Sequence, residues 1–265
     1  MKILVTGGAG FIGSHLVDAL IEKDYDDVVI YDNLEPQVHP GSRPPDYLNK
    51  KAEFIRGDVL DYNKFKKVVL NADVIFHLAA IVGVGQSQYE IKKYTEVNIG
   101  GTANLWNIIA NSVPSARKRL RKVIVAGSMS SYGEGLYRCK KCGEMKPPLR
   151  TESQMSGKKW ELICPGCGGL LYPIPTPETA PLNSNSIYAL TKKTQEEMSL
   201  VVGKTYEVPT AILRFFNVYG SRQSLSNPYT GVAAIFMSRI KNNNPPVIYE
   251  DGLQTRDFVY VGDVA

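Results

Sequence analysis

Apolar residues follow two rhythms along this chain. Short unbroken runs at Lys2 to Thr6, Val28 to Asp32, Glu53 to Asp58, Val74 to Ala80, Lys122 to Ser128 and Thr210 to Phe215 are rich in Val, Ile or Phe. They predict strands buried on both faces. Between them the apolar positions recur at helical spacing. From about Gly13 to Lys23, Leu16, Val17, Leu20 and Ile21 share one face, which predicts an amphipathic helix. Similar patterns occupy about Asp61 to Asn71, Thr95 to Ser112 and Ser186 to Tyr206. Parallel neighbours need a crossover connection, so alternating strands and helices predict a doubly wound parallel α/β sheet covered on both faces. Residues 139 to 181 break the rhythm with Pro, Gly, Lys and all four cysteines.

Composition narrows the class only a little. A chain of 265 residues, 43% hydrophobic and 22% charged, can bury one large core and is ordinary for a soluble protein. The formal charge of +5 is mild, and its densest run is Arg117, Lys118, Arg119, Arg121 and Lys122. Such a run is more often the solvated end of a helix than a nucleic-acid site. Met1 leads directly into KILVTG, with no basic n-region and no apolar span of membrane length, so the expected location is cytoplasmic, with no membrane partner.

The first predicted strand ends in Gly7, Gly10 and Gly13, and a helix begins inside that run. Glycine there permits a tight turn, a close approach to a pyrophosphate and close helix packing, while the helix N-terminus attracts phosphate. Asp32 ends the second strand 19 residues after Gly13. A carboxylate at that place holds a ribose 2′-hydroxyl and repels a 2′-phosphate, which favours NAD over NADP. The pattern is of the Rossmann type; a purely structural glycine turn is the competing reading. Tyr188 and Lys192 are spaced i, i+4 and project from one helix face. A phenol is a poor base at neutral pH, but a nearby ammonium and a cationic nicotinamide both favour the phenolate. The pair alone is common on exposed helices. Ser128 and Ser130, just past the fifth strand at the sheet's carboxyl edge, give it company where such folds bind ligands.

These motifs carry a resemblance. GGAGFIG, Asp32, GDVLD from Gly57, HLAA from His77, Asn98, SMSSYGEG from Ser128, YALTK, RFFNVYG from Arg214 and RDFVYVGDVA resemble the extended short-chain dehydrogenase/reductases, in particular the NAD-dependent nucleotide-sugar epimerases and dehydratases. The likeness covers the chain apart from roughly residues 135 to 173. It looks strongest to 4-epimerases of the UDP-galactose and dTDP-L-rhamnose kind, with PQVHPG from Pro36, VGVGQSQYEI from Val82 and SNPYTGVAAIF from Ser226 pointing to the second. The resemblance implies Tyr188 as base, Lys192 as its electrostatic partner and a ribose ligand, and Ser128 as hydrogen bonder to the sugar hydroxyl. It implies a cofactor site of Gly7, Gly10, Phe11, Ile12, Gly13, Asp32, Asn33, Asp58, Val59, Leu78, Ala79, Ala80, Asn98, Tyr188, Lys192 and Phe216. On the sugar nucleotide it implies Ser128, Ser130, Tyr188, Asn217, Gly231, Val232 and Arg256, the last on the diphosphate, where a guanidinium fork suits the charge. A homodimer is implied as well.

What is missing narrows the reaction. The family's 4,6-dehydratases carry Asp then Glu three and two places before the Tyr that precedes Gly, because elimination of water needs a further donor and acceptor. Met129 and Ser130 stand there instead, and decarboxylating relatives keep the Glu that Ser130 replaces. The resemblance therefore implies an epimerase: the C4 hydroxyl is oxidised to a transient ketone and the hydride returns to the other face, with no net use of NAD. A simple NAD-dependent sugar or alcohol dehydrogenase is the alternative within the class; a non-catalytic NAD-binding module with a zinc-ribbon partner site is the alternative outside it.

Cys139 and Cys142 form one CxxC, Cys164 and Cys167 another, with 21 residues between, and Gly143 and Gly168 follow the two knuckles. The pattern predicts structural, tetrahedral Zn²⁺ on four sulfurs, with unligated or redox-active cysteines as the competing reading; disulfides would be unusual in the cytoplasm. The insertion lies between SYG and YALTK, so it is expected beside the active-site mouth, shaping the sugar pocket or a subunit contact. The expected organisation is residues 1–134 as the NAD-binding Rossmann domain, 135–173 as a zinc-ribbon-like insertion, and 174–265 as catalytic helix, last core strand and partial substrate region. Ala265 follows a motif that in the family leads into a further helix, so a truncated chain or an incomplete substrate subdomain is expected.

Overall fold

The structure, a computed structural model, describes residues 1–265 except Ser226, Pro228 and Thr230, so those three positions of the SNPYTG run lie outside the described residues. Six parallel strands form the central sheet: β1 (Ile3–Thr6), β2 (Val28–Asp32), β3 (Glu53–Arg56), β4 (Val74–His77), β5 (Lys122–Ser128) and β9 (Thr210–Phe215). Their order is β3-β2-β1-β4-β5-β9, the doubly wound arrangement that reverses beside the first strand. Ile3 pairs with Val28 on one side and Val74 on the other. Neighbouring side chains on a strand face opposite ways. Ile3, Val5 and Ile30 therefore enter one core with Leu16, Val17 and Leu20 of helix α1 (Phe11–Glu22). Leu4, Val29 and Ile75 enter the other, which explains why these strands read as unbroken apolar runs.

That second core is covered by α2 (Tyr62–Val69), α3 (Gly101–Ala110) and α4 (Ile187–Thr205), through Phe65, Leu105, Trp106, Met198 and Val202. The Trp106 indole donates to Ser199 Oγ at 2.8 Å, binding α3 to α4 through the only polar atom the indole has.

Three expectations are corrected in detail. The strand expected to reach Ala80 stops at His77, and the one expected to reach Asp58 stops at Arg56. Thr6 is the last residue of β1 that β4 can pair with; beyond it the glycine turn leaves the sheet, so residues 78–80 become a sheet-edge loop. The helix expected over 95–112 begins with a π-helical stretch, Thr95–Gly100, and turns regular only at Gly101. The basic run ends a short helix, Pro114–Arg119, where Arg117 donates to the Ala110 carbonyl at 2.8 Å and lies over the Tyr206 ring. Those contacts give Arg117 a structural role.

The cysteine-bearing segment folds as its own antiparallel sheet, β7-β6-β8, from β6 (Leu136–Cys139), β7 (Gly143–Met145) and β8 (Leu171–Ile174). Its buried cluster is small: Cys139, Leu162, Cys164 and Leu171. Past β9, the parallel pair β10 (Asn217–Tyr219) and β11 (Phe258–Tyr260) and helix α5 (Val232–Lys241) stand over the sheet's carboxyl edge. Among the described residues no helix is long and apolar enough to cross a membrane.

Gly7 has φ +69°, and a Cβ there would sit 2.9 Å from the Ala79 backbone nitrogen; one on Gly13 would collide with the Gly7 carbonyl oxygen and Gly8 Cα. Gly13→Ala must therefore push α1 away from the turn. It should lower the urea midpoint by the equivalent of about 1–3 kcal/mol at unchanged slope; an unaltered midpoint would show that the turn has slack.

Candidate active site

One cavity of about 680 Å³ lies along the carboxyl edge of the central sheet. At one end lies the glycine turn. The Asp32 carboxylate, buried, accepts from Ala9 N–H at 3.0 Å and Leu34 N–H at 2.9 Å, so it is fixed beside the N-terminus of α1. Next to it the Asn33 amide donates to Asp58 Oδ2 at 2.9 Å, and Leu60 N–H donates to Asp58 Oδ1 at 2.8 Å. Two strand ends are thereby joined into one polar rim able to recognise a ribose and a base.

At the other end, Ser186 caps α4, accepting from Ala189 N–H at 3.1 Å. Tyr188 N–H donates to Ser87 Oγ at 3.0 Å, and the Tyr94 ring stands edge-on to Tyr188 at 6.3 Å. Ser128 ends β5, lines the cavity together with Tyr188 and lies 2.7 Å from Ser130 Oγ. Arg214, on β9, donates to Glu196 of α4, to Tyr132 Oη at 2.5 Å and to the Glu178 carbonyl at 2.8 Å. It thus holds the turn after Ser128 against the helix that carries Tyr188. Sequence reasoning noted Arg214 only as the start of a motif.

The protein's own charges do not make Tyr188 a ready base. Burial raises its pKa, and the Ser128 hydrogen bond only partly opposes this. Lys192 is buried too, and loss of hydration pushes it down to about 8. The expected pull of an ammonium on the phenol is thus outweighed by desolvation, which penalises both charged forms. Beneath them His77 is held neutral, at about 3, by burial first and the Lys192 charge second. Thr102 Oγ1 donates to the Asn98 carbonyl at 2.7 Å, so His77 Nε2 donates to Thr102 at 3.2 Å and Nδ1 accepts from Thr6 at 2.9 Å.

Among the expected cofactor residues, Gly7, Gly10, Phe11, Ile12, Gly13, Asp32, Asn33, Asp58, Val59, Leu78, Ala79, Ala80, Tyr188, Lys192 and Phe216 all line the cavity, as do Ser128, Asn217, Gly231 and Val232. Three expected residues stand off the wall. Asn98 is buried behind it with its amide wholly engaged: it accepts from Ile81 N–H at 2.8 Å and donates to the Ile81 carbonyl at 3.1 Å and Thr191 Oγ1 at 3.0 Å. Ser130 reaches the site through Ser128. Arg256 is exposed at the rim and donates to the Thr255 carbonyl. Sequence reasoning missed the polar cluster on the wall opposite: Gln37 donates to Gln86 and to Asn227, each at 3.0 Å. No spacing rule links residues so far apart.

The four cysteines converge as well. Their sulfurs lie within 4.8 Å of one another, with Cys139 and Cys164 buried and Cys142 and Cys167 exposed. Gly143 and Gly168 adopt φ of +82° and +70°. Backbone N–H groups of Cys142 and Lys141 directed at Cys139 hold its thiol down at about 6.

A lysine whose pKa falls on folding leaves the unfolded chain binding more protons between about 8 and 10.5. Stability should rise with pH across that window, relieving a cost present below it. In cofactor-stripped protein, Lys192→Met should be more stable than wild type by about 3 kcal/mol at pH 7, with the gap shrinking by pH 10 in urea titrations. A constant gap would mean that burial does not set this lysine's charge.

The chain matches the NAD dependent epimerase/dehydratase family over residues 3–155 and 167–265. The interruption is narrower than the 135–173 expected and falls inside the cysteine insertion. The dTDP-L-rhamnose 4-epimerase of Burkholderia thailandensis is 35% identical over 266 residues, covering 100% of this chain and 70% of the relative. The UDP-glucose 4-epimerase of Thermotoga maritima, solved with UDP-glucose, superposes with a TM-score of 0.75 at 31% identity, over 100% of this chain and 71% of that one. A UDP-glucuronic acid 4-epimerase variant of Bacillus cereus, solved with a 4-deoxy-4-fluoro substrate analogue and NAD, gives 0.75 at 30% identity, over 100% and 70%. With the glycine turn, Asp32, Ser128, Tyr188 and Lys192 gathered on one cavity, the chain belongs to the NAD-dependent epimerase/dehydratase family.

Proposed function

We propose that the chain is an NAD-dependent nucleotide-sugar 4-epimerase acting through Ser128, Tyr188 and Lys192. The observation that carries this reading is the gathering of Ser128, Tyr188 and Lys192 on the wall of the cavity that also holds Asp32 and the glycine turn. It puts a proton acceptor and a hydroxyl-binding group at one spot, and Met129 and Ser130 offer no carboxyl for elimination. NAD, when bound, supplies a hydride acceptor that can also give the hydride back. Tyr188 takes the proton from the sugar's 4-hydroxyl and later returns it. Ser128 orients that hydroxyl, and Lys192, below Tyr188 on the same helix face, holds the ribose. A positive charge brought beside Tyr188 offsets the burial that raises its pKa. Asn217, Gly231 and Val232 border the cavity where the sugar nucleotide would lie.

Structural zinc on Cys139, Cys142, Cys164 and Cys167 belongs to the same reading. Tetrahedral Zn–S bonds of about 2.3 Å place sulfurs roughly 3.8 Å apart, which the cluster's spread of at most 4.8 Å accommodates. Four free thiols together also suit a reducing, cytoplasmic setting. A homodimer is supported by Leu190, Leu200 and Val201, apolar side chains exposed on α4.

Incubation with a panel of UDP-, dTDP- and GDP-sugars should yield a C4 epimer by NMR without net NADH. Tyr188→Phe should retain NAD while kcat falls by about 10²–10⁴. A protein that holds NAD and epimerises nothing would sink the assignment, and stoichiometric NADH would indicate a dehydrogenase instead. Elemental analysis should find about one zinc per chain, lost in Cys139→Ser together with part of the thermal stability; full metal-free stability of the insertion would exclude the zinc role.

A further inference from the structure

One face of α1 carries contacts that the proposed chemistry does not use. Phe11, His15 and Asp18 are spaced i, i+4 and i+7, so they stack along one side of the helix that starts at the glycine turn. Phe11 lines the cavity, and the His15 ring stands edge-on to it at 6.1 Å. The segment that leaves β10 comes back onto this face. His15 Nε2 donates to the Ser221 carbonyl at 3.1 Å, since a carbonyl can only accept. Arg222 Nη1 lies 2.6 Å from Asp18 Oδ2, a charge contact rather than a directed hydrogen bond. Asn49 donates to the other oxygen, Asp18 Oδ1, at 2.8 Å, which fixes the carboxylate in place. Both partners of the ion pair are mostly shielded, 22% and 23% exposed, so salt screens it less than an open surface pair.

Arg222 has a second partner. Its guanidinium lies over the Tyr47 ring, 5.1 Å from the centroid, and the Tyr47 hydroxyl donates to the Ala9 carbonyl at 3.2 Å. Ala9 is the residue whose N–H donates to Asp32. One side chain from the C-terminal part of the chain is thereby tied both to α1 and to the glycine turn. Its backbone has φ +65°, a region unfavourable to residues with a Cβ, so these contacts hold the turn against its local preference. The next two residues, Gln223 and Ser224, line the cavity, while Arg222 itself stands behind the wall. Beyond them Asn227 accepts from Gln37 at 3.0 Å. This stretch of wall is therefore pinned to the cofactor half on either side.

We propose that Arg222 is a positioning residue for the cofactor: paired with Asp18 and stacked on Tyr47, it keeps Gln223 and Ser224 on the cavity wall and slows the escape of bound NADH. This rests on the NAD-dependent 4-epimerase reading above. A dehydrogenase must let NADH go at every turnover. A 4-epimerase must keep it until the hydride has returned to the sugar, and a wall fastened to α1 from outside serves that need.

Wild type, Arg222→Gln, Arg222→Lys and Asp18→Asn are loaded with NADH and mixed with a large excess of NAD, and the loss of bound-NADH fluorescence is followed by stopped flow. Melting without nucleotide is measured in parallel. Arg222→Gln should release NADH roughly tenfold faster than wild type and Asp18→Asn roughly threefold faster. Arg222→Lys keeps the charge but loses the flat contact with Tyr47, and should fall between wild type and Arg222→Gln. Equal release from all four proteins, or lower melting with unchanged release, would overturn the proposal by showing that Arg222 only supports the fold. A wild type that holds no NADH would overturn it together with the NAD reading. The release rates involve no sugar, so failure of the epimerase reading would show in the C4 assay and not here.

Discussion

A neutral histidine joins the two halves of the site. His77 ends β4, accepts from Thr6 at the end of β1 and donates to Thr102 of α3, which also accepts from Gln195 of α4 at 2.6 Å. Most buried polar groups are paired, so this chain of bonds favours one arrangement of two strands and two helices, although Gln195 Oε1 is buried without a partner in it. Thr6 also accepts from Ala79 N–H at 3.2 Å, which sets the loop that borders the glycine turn. The register between Gly7 and Tyr188 depends on these contacts, because one lies just beyond Thr6 and the other less than two turns from Gln195. A charged His77 would oppose Lys192 directly; keeping the ring neutral avoids that repulsion.

Strands and the glycine turn were legible in the sequence because their causes are local. Residues 3–6 and 28–32 alternate between two cores, which leaves a run of apolar letters with no polar gap. Gly7 and Gly13 mark a backbone approach that no side chain permits. The Tyr188 and Lys192 pair was legible from helical spacing, and its company with Ser128 from strand order. The π-helical start of the 95–110 segment was not, since it depends on where Asn98 finds Ile81 and Thr191. Nor was the electrostatic balance at Tyr188: neighbours can be guessed from letters, but desolvation depends on how completely the site is enclosed. The Gln37, Gln86 and Asn227 cluster is a product of tertiary folding alone.

The insertion obeys a different economy from the sheet. Its buried cluster contains two of its own cysteines beside Leu162 and Leu171, too little apolar surface to hold some forty residues by burial alone. The convergence of its four sulfurs, backbone turns at Gly143 and Gly168, and the Arg150 contact with the last part of the chain therefore carry what a core would elsewhere.

Strand β9 joins the sheet by pairing with β5, Val123 opposite Thr210 through Ser128 opposite Phe215, yet residues 129–209 lie between them. At synthesis rates of 5–20 residues per second, roughly 4–16 s pass between completion of one strand and arrival of the other. Through that interval the buried apolar edge of β5 has no partner on one side, and an unpaired edge of this kind recruits foreign strands. The insertion lengthens the wait. Vectorial folding of this chain is therefore most exposed to misassembly after its cofactor half exists and before its catalytic half does.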